Sequence, residues 1–157
     1  MEWLWQELFH GLPDPRHLVR VGVRVVVAVV LGGVVGYERQ AEGKKAGIRT
    51  HMLVALGAAL FTLVPAEVGM TAADLSRVVQ GVAAGVGFLG AGTILKLTTE
   101  HEIRGLTTAA TIWVTAAVGM AAGAGWVWPA TLAVALAWVI LRLLPHEGLP
   151  PGGGHGI

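Results

Sequence analysis

Apolar residues run through this sequence in long stretches that short polar segments interrupt. Five stretches approach the roughly 20 residues that a helix needs to cross the core of a bilayer. They span residues 18–36, 48–64, 77–95, 107–122 and 127–144. The fourth is short and rich in Ala, Thr and Gly, which is typical of a helix packed inside a bundle. The pattern therefore predicts an all-α membrane protein with a five-span transmembrane helical bundle.

Two segments lie outside these spans. Residues 1–15 are predicted to form an interfacial segment, an amphipathic stretch with Trp3, Leu4 and Leu8 on one face. Pro13 and Pro15 separate it from the first span. Residues 145–157 are rich in Pro and Gly and lack periodicity, which predicts a disordered tail. The transmembrane domain is expected to occupy residues 16–144.

Composition supports a membrane protein. Apolar residues make up 54% of the chain and charged residues 13%, whereas an ordinary soluble domain is about a quarter charged. There is no cysteine, which excludes disulfides and thiolate metal sites. No basic cluster with interleaved aromatic residues indicates nucleic-acid binding. Ser76 is the single serine and no catalytic set is evident, so we expect a protein that is not an enzyme and needs no cofactor.

Basic residues near the span ends predict the orientation. One side of the membrane would carry seven of them: Arg39, Lys44, Lys45, Arg49, Lys96, Arg104 and Arg142. The other side would carry four: Arg16, Arg20, Arg24 and Arg77. Because cytoplasmic loops carry an excess of Lys and Arg, the first side is predicted to be cytoplasmic. The N-terminus would then lie outside and the C-terminus inside.

A short internal similarity accompanies this topology. Gly47-Ile-Arg-Thr50 opens the second span and Gly105-Leu-Thr-Thr108 opens the fourth. The two hairpins would then form a parallel repeat, an arrangement that occurs in transporters. Gly-x-x-Thr at a helix start is also favourable capping chemistry, so the residues leave both interpretations open.

The loop between the first two spans is the most charged part of the chain. It places six charged residues within the twelve positions from Glu38 to Arg49. Charge of this density must lie at the surface or face a protein interior. The predicted cytoplasmic cluster consists of Glu38, Arg39, Arg49, Thr50, Thr107 and Thr108. It is a candidate anion or protein docking site because Arg presents a planar fork of donors, although on these residues alone a solvated loop is the simpler interpretation.

A second polar cluster is predicted at the outer side. Arg24 lies about two turns inside the first span, where it either snorkels to the surface or pairs with Asp74 or Glu67. Asp74 is alternatively the N-cap of the third span, with Ser76 competing for that role. The members of this outer cluster are Arg24, Asp74, Arg77 and Gln80.

The third span is rich in glycine. Gly85-Val-Gly87-Phe-Leu-Gly90 matches a dinucleotide-binding string, but it lies inside an apolar span and not between a strand and a helix. The favoured interpretation is helix packing, with Gly81, Gly85 and Gly92 on one smooth stripe and Gly87 and Gly90 on a second side. Such a face must be buried against something, which predicts a homodimer. The alternative is a break near Gly90 that exposes backbone groups to an ion or substrate.

Three segments together resemble the MgtC/SapB family of bacterial inner-membrane proteins. The first is Gly36-Tyr-Glu-Arg-Gln40 with Ala46-Gly-Ile-Arg-Thr-His-Met-Leu-Val54. The second is Arg77 with Gln80-Gly81 and Gly85-Val-Gly-Phe-Leu-Gly-Ala-Gly-Thr-Ile94. The third is Arg104-Gly-Leu-Thr-Thr-Ala-Ala-Thr-Ile-Trp-Val114.

The resemblance implies a five-span domain whose N-terminus lies outside. Family members are associated with survival in low magnesium and with virulence, and some act by restraining the F-type ATP synthase. The positions that match the motifs are Glu38, Arg39, Gly47, Arg49, Thr50, Arg77, Gly85, Gly87, Phe88, Gly90, Gly92, Gly105, Thr107, Thr108 and Trp113. Many members continue into a cytoplasmic regulatory domain after the fifth span, and some carry Asn where Thr107 stands.

The resemblance leads to one main hypothesis and one alternative. The main hypothesis is an inner-membrane protein of magnesium and energy homeostasis that acts through protein contacts, with the ATP synthase as a candidate partner. The alternative is a transporter or channel for magnesium, another ion or a small solute. A cation path needs acids that face a cavity, and none falls inside the predicted spans. The sequence does not identify a metal site.

Overall fold

The structure is a computed structural model that describes residues 1–9, 14–97 and 102–144. Within these ranges the chain forms helices joined by short turns and one β-hairpin. The elements are α1 Glu2–Phe9, α2 Pro15–Ala41, α3 Ile48–Glu67, α4 Ala72–Ala91, β1 Leu95–Leu97, β2 Glu102–Arg104, α5 Leu106–Gly123 and α6 Val127–Leu143. The two strands are antiparallel, with Lys96 opposite Ile103.

The helical bundle predicted from the sequence is confirmed. Helices α2 to α6 correspond to the five apolar stretches. By length and composition, α2, α3 and α5 can each cross a membrane, and α6 is a shorter apolar helix. Helix α4 is not among them, so the count of five spans and the parallel repeat stay predictions. The chain is accordingly a multi-pass membrane protein built on a bundle of helices.

Helix α2 is longer than the sequence pattern indicated. We expected its span to end near Gly36, but it continues to Ala41 and has 27 residues. At 1.5 Å per residue this is about 40 Å, longer than the bilayer core of about 30 Å. Glu38 and Arg39 were assigned to a loop and are instead in the last turns of this helix. Glu38 lies in this candidate membrane helix but beyond residue 36, so the expectation that no acid falls inside the predicted spans stays a prediction.

Helix α5 packs directly on α3 through two glycines. A β-carbon on Gly119 would lie 2.3 Å from the carbonyl oxygen of Ala55, and one on Gly123 would lie 2.3 Å from that of Ala59. Real β-carbons do not approach backbone atoms so closely, so only glycine fits at either position. The four-residue spacing of both pairs puts the small residues on facing sides of the helices, as in other membrane helix pairs.

Helix α2 packs on the other side of α3 in the same way. A β-carbon on Gly32 would lie 2.7 Å from the carbonyl oxygen of His51, and one on Gly36 would lie 2.6 Å from the α-carbon of Ile48. Helix α3 is thus held between two helices that each present a Gly-x-x-x-Gly pair. The sequence interpretation placed the packing glycines on α4 and missed both of these pairs, although their spacing was visible.

Small apolar side chains fill the interior. One cluster consists of Ala28, Val35, Ala59, Val118, Ala122, Ala130 and Val134. A second consists of Ala46, Ala58, Val86, Ile112 and Ala116. In lipid, such contacts stabilise a bundle through close packing, since lipid chains are as apolar as the helices.

Helix α4 lies at the edge of the bundle and buries only Val86 and Gly90. Its N-cap is Thr71, whose hydroxyl accepts a hydrogen bond from the Asp74 backbone N–H (3.2 Å) and donates one to the Asp74 carboxylate (2.7 Å). Neither Asp74 nor Ser76 is the N-cap. Helix α4 ends at Ala91, so the prediction that it continues to residue 95 is wrong.

The terminal segments were also assigned from sequence. Residues 2–9 form helix α1, and its placement in the membrane interface stays a prediction. The tail of residues 145–157, predicted to be disordered, lies outside the described residues.

Candidate functional site

The loop end of the bundle, defined by residues 42–47 and the β1–β2 hairpin, contains a fully buried ion pair. The Arg39 Nε donates to Glu38 Oε2 at 2.5 Å, and Nη2 donates to Glu38 Oε1 at 2.7 Å. Arg39 is 0% exposed and Glu38 is 1% exposed. The loop folds back over them, since the backbone N–H of Lys44 donates to the Arg39 carbonyl. Glu38 and Arg39 therefore face the protein interior and do not lie in a solvated loop.

One donor of this pair is not used. Arg39 Nη1 is buried and has no hydrogen-bond partner among the described residues. A buried arginine with a free donor is costly unless water or another acceptor satisfies it. The pair therefore leaves the Nη1 group of Arg39, with its two N–H bonds, unpaired inside the described part of the bundle.

His51 lies beside this pair at the junction of α2, α3 and α5. It is 0% exposed, and its Nδ1 donates to the Gly47 carbonyl at 2.9 Å. Its Nε2 is hydrogen-bonded to the Thr111 hydroxyl at 3.3 Å. Thr111 in turn donates to the Thr108 carbonyl at 2.8 Å. His51 is therefore a hydrogen-bonded packing residue. Thr111 is a member of the site that could not be identified from the sequence.

The predicted cytoplasmic cluster therefore divides into two layers. Glu38, Arg39 and Thr108 are buried, whereas Arg49 and Thr107 are exposed and Thr50 is half-buried. The buried layer shapes the end of the bundle, and the exposed layer is available to solvent or partners. The sequence could place these residues at one end of the bundle but could not tell the layers apart.

Arg49 and Thr50 border a surface cavity of about 470 Å³, which Thr107 does not line. Lys44, Lys45 and Arg49 line it together with Gln40, Gly47 and Thr50. It lies where the loop after α2 meets the first turn of α3. Two lysines of the cavity were counted for orientation but were not assigned to a site.

Gly47 and Gly105, the first residues of the two similar segments, are both helix N-caps. Their backbones differ, since Gly105 has φ +97° and Gly47 has φ −101°. A β-carbon on Gly105 would lie 2.1 Å from the Thr93 carbonyl oxygen. Gly105 is therefore required where the β-hairpin turns into α5.

At the opposite end, the structure does not assemble the predicted outer cluster. Arg24 extends along the end of α5, with Nη1 3.5 Å from the Gly123 carbonyl and its guanidinium against Gly125. Positive charge is favourable at a helix C-terminus. The Asp74 carboxylate instead accepts a hydrogen bond from the hydroxyl of Thr71, the N-cap of α4. Arg77 and Gln80 are exposed on α4.

A different side-chain hydrogen bond joins two elements at that end. His17, near the start of α2, contacts the Glu67 carboxylate at the end of α3. Both side chains are about one-third exposed. The sequence analysis weighed Glu67 only as a partner of Arg24, and nothing in the chain pattern indicated His17.

The predicted packing glycines of α4 are mostly open. A β-carbon on Gly81, Gly85 or Gly87 would meet nothing within 4 Å, whereas Gly90 lies against Ala109 of α5. Gly92 is the C-cap of α4 and approaches only its own helix. Phe88 is 82% exposed. The outer face of α4, which carries Gly81, Gly85, Gly87 and Phe88, is therefore open within the part of the chain that the structure describes.

Residues for a metal site do not converge in the ranges 1–9, 14–97 and 102–144. No group of three or more His, Asp or Glu side chains there could hold a metal ion.

The protein is therefore a helical membrane bundle whose helices pack through glycine contacts. A buried Glu-Arg pair lies at its loop end. The particular family follows from comparison with known sequences. The MgtC family profile matches residues 25–147, and the chain belongs to this family.

Several curated relatives share this region. Protein SrpB of Synechococcus elongatus is 50% identical over 113 residues, which are 65% of this chain and 62% of that protein. The Escherichia coli K12 protein named putative magnesium transporter YhiD is 46% identical over 113 residues, 66% of this chain and 50% of YhiD. Protein MgtC of Brucella abortus is 43% identical over 117 residues, 74% of this chain and 48% of that protein.

The chain thus spans about half to three-fifths of the length of these relatives. No solved structure matches it.

Proposed function

We propose that this chain is a bacterial inner-membrane protein of magnesium and energy homeostasis that acts by binding other proteins and not by catalysis. Its N-terminus would lie outside and its C-terminus in the cytoplasm, so that the loop end faces the cytoplasm. The first partner is a second copy of the chain, and the F-type ATP synthase is the candidate complex that the assembly modulates. Family membership and the names of its relatives support the link to magnesium.

The observation that carries this proposal is the open outer face of α4. Gly81 and Gly85 have the same four-residue spacing as the two glycine pairs that seat α2 and α5 on α3, but nothing lies within 4 Å of them. Each glycine in a helix costs about 1 kcal/mol relative to alanine. At Gly32, Gly36, Gly119 and Gly123 that cost is offset by close helix contact, whereas Gly22 and Gly57 have no such contact among the described residues. A helix from another chain would supply the same compensation at Gly81 and Gly85.

The residues of this face also belong to the family motif. Gly85, Gly87 and Phe88 match it, yet all three are exposed among the described residues. Small residues beside an exposed aromatic ring suit contact between membrane helices. A second copy is the simplest occupant, because the face would then be matched by an identical one across a two-fold axis.

The loop end supplies the proposed contact with a larger complex. Arg49 and Thr107 are exposed there, and Tyr37 is 63% exposed one residue before the buried pair. Glu38 and Arg39 themselves cannot touch a partner without unfolding the end of α2. Substitutions at these two positions therefore test folding, and surface substitutions test binding.

Transport of magnesium is the second candidate function. The name of the E. coli relative favours it, and Glu38 is an acid inside a helix of the bundle. That carboxylate is already held by two donors of Arg39, so an ion would have to displace a buried partner to reach it.

The proposed dimer is tested in membranes that contain the full chain. Gly85→Cys should form an intermolecular disulfide under mild oxidation, because the native chain has no cysteine to compete. Gly22→Cys is the matched control, since Gly22 is an exposed glycine of α2 with nothing within 4 Å. Equal cross-linking of the two variants, or none in either, contradicts the dimer.

Action on the ATP synthase is tested in everted membrane vesicles. We expect the wild-type chain to reduce ATP-driven proton pumping and Arg49→Glu with Thr107→Leu to relieve this effect, while Arg16→Glu, at the opposite end, leaves it unchanged. If ATP-driven proton pumping is the same with and without the chain, the proposed contact with the synthase is wrong. Saturable magnesium flux into proteoliposomes would instead establish the transport alternative.

A further inference from the structure

The cavity at the start of α3 is strongly cationic. Lys44, Lys45 and Arg49 line it, and Glu42, the acid of the same loop, does not. Glu38 and Arg39 are paired with each other and buried beneath the loop. The open surface therefore presents three positive charges to one concave volume of about 470 Å³.

The backbone adds donors to the same volume. Helix α3 begins at Ile48 after the N-cap Gly47, which has no side chain to cap it. The N–H of Ile48 reaches Gln40 Oε1 at 3.4 Å. Those of Arg49 and Thr50 have no acceptor within the described part of the chain, as expected for the first turn of a helix. Such groups favour an anion, and the helix dipole adds to the attraction.

The side chains around these donors have complementary chemistry. The guanidinium of Arg49 can form a two-pronged contact with a phosphate group, and the Thr50 hydroxyl can donate to it. The two lysine ammonium groups supply mobile charge around the rim. A cavity of this volume is larger than a single phosphate needs and is open on one side, so it can accept a phosphate that is attached to a larger molecule.

We propose that this cavity binds a phosphate group, either on the headgroup of an anionic phospholipid or as free inorganic phosphate. In the predicted orientation the cavity lies at the cytoplasmic surface, where a basic pocket between membrane helices can hold a lipid headgroup. The proposal does not depend on the dimer or on the ATP synthase. It depends on the cations of this cavity and the uncapped start of α3.

The test has two arms that use the full chain purified in non-ionic detergent. In the first, inorganic phosphate is titrated against the thermal unfolding midpoint, with sodium chloride at equal ionic strength as the reference. In the second, the chain is reconstituted in nanodiscs of phosphatidylcholine with or without phosphatidylglycerol, and native mass spectrometry counts the retained lipids.

Arg49→Gln and the pair Lys44→Gln/Lys45→Gln remove charge from the cavity. Arg142→Gln is the matched control, because Arg142 lies at the same end of the bundle over the Trp138 ring and does not line the cavity. A midpoint and gel-filtration profile without ligand show that each variant folds. If Arg49→Gln unfolds, binding is measured with the Lys44→Gln/Lys45→Gln variant alone.

We expect the cavity variants to weaken binding of the phosphate probe by about tenfold or more, because charge-assisted hydrogen bonds are lost, and Arg142→Gln to weaken it less than twofold. A response to inorganic phosphate identifies free phosphate as a ligand, and a response only in the nanodiscs identifies a lipid headgroup. No response in either arm overturns the proposal. So does an equal loss in Arg142→Gln, which would mean general attraction to a basic surface.

Discussion

Arg39 holds both carboxylate oxygens of its neighbour Glu38, at 2.5 and 2.7 Å, inside the loop end of the bundle. The two residues are adjacent on α2, and the two hydrogen bonds hold their side chains together. Their side chains are out of solvent, and the loop that follows is tied to the Arg39 carbonyl through the Lys44 N–H. The pair thus couples the end of α2 to the loop that carries the surface cations.

The first prediction concerns the two halves of this pair. Glu38→Gln or Arg39→Met alone should destabilise the chain by about 3–5 kcal/mol, because each leaves an uncompensated buried charge. The double variant should lose less than the sum of the two single variants. Reversible unfolding in detergent micelles measures all three. Additive losses would show that the two side chains do not interact.

The second prediction concerns the contact between α5 and α3. Gly119→Ala places a β-carbon 2.3 Å from the Ala55 carbonyl oxygen, so the helices must separate. We expect a loss of about 1–3 kcal/mol or more. Gly57→Ala is the control, since nothing lies within 4 Å of that glycine, and alanine should be neutral or stabilising by up to about 1 kcal/mol. Similar midpoints for both variants would mean that the helices are not in close contact.

The third prediction separates backbone strain from crowding. Gly43 and Gly105 both have positive φ, +67° and +97°. Nothing lies near Gly43, whereas a β-carbon on Gly105 would meet the Thr93 carbonyl oxygen. Gly43→Ala should cost about 1–2 kcal/mol from conformation alone, and Gly105→Ala clearly more. The two unfolding midpoints decide the order, and the reverse order is incompatible with the described hairpin.

The fourth prediction concerns His51 and Thr111. His51→Leu removes a hydrogen bond between α3 and α5 in a buried position and should cost about 1–3 kcal/mol. Thr111→Val keeps the volume and removes the same contact. In a double-mutant cycle the two should show a coupling of about 0.5–1.5 kcal/mol. Coupling near zero would show that the 3.3 Å contact does not contribute to stability.

Much of the fold could be predicted from hydrophobic length alone. Four of the five helices begin within three residues of the expected position, because membrane helices are continuous apolar runs and their ends are marked by charge or glycine. The end of α2 could not be predicted in this way. Glu38 and Arg39 look like loop residues, and only three-dimensional packing lets them neutralise each other inside a helix.

The glycines show a second limit. Their number indicated close helix contact, but Gly32 and Gly119 are used within the chain while Gly81 and Gly85 are open. All of them have the same spacing, so sequence alone cannot say which pair faces which helix. In the predicted outer cluster, Arg24 contacts the end of α5 and not Asp74. Which helix lies beside Arg24 depends on how the helices are arranged in three dimensions, and the sequence does not give this arrangement.

The proposed topology places residues 42–47 and the β1–β2 hairpin together at the cytoplasmic surface of a membrane bundle. Cysteine labelling tests this directly, because the native chain contains no cysteine. We predict that Lys44→Cys and Arg104→Cys react with a membrane-impermeant maleimide only in everted vesicles, and that Met70→Cys reacts only in right-side-out vesicles. Reaction of positions 44 and 104 from opposite sides would contradict the account.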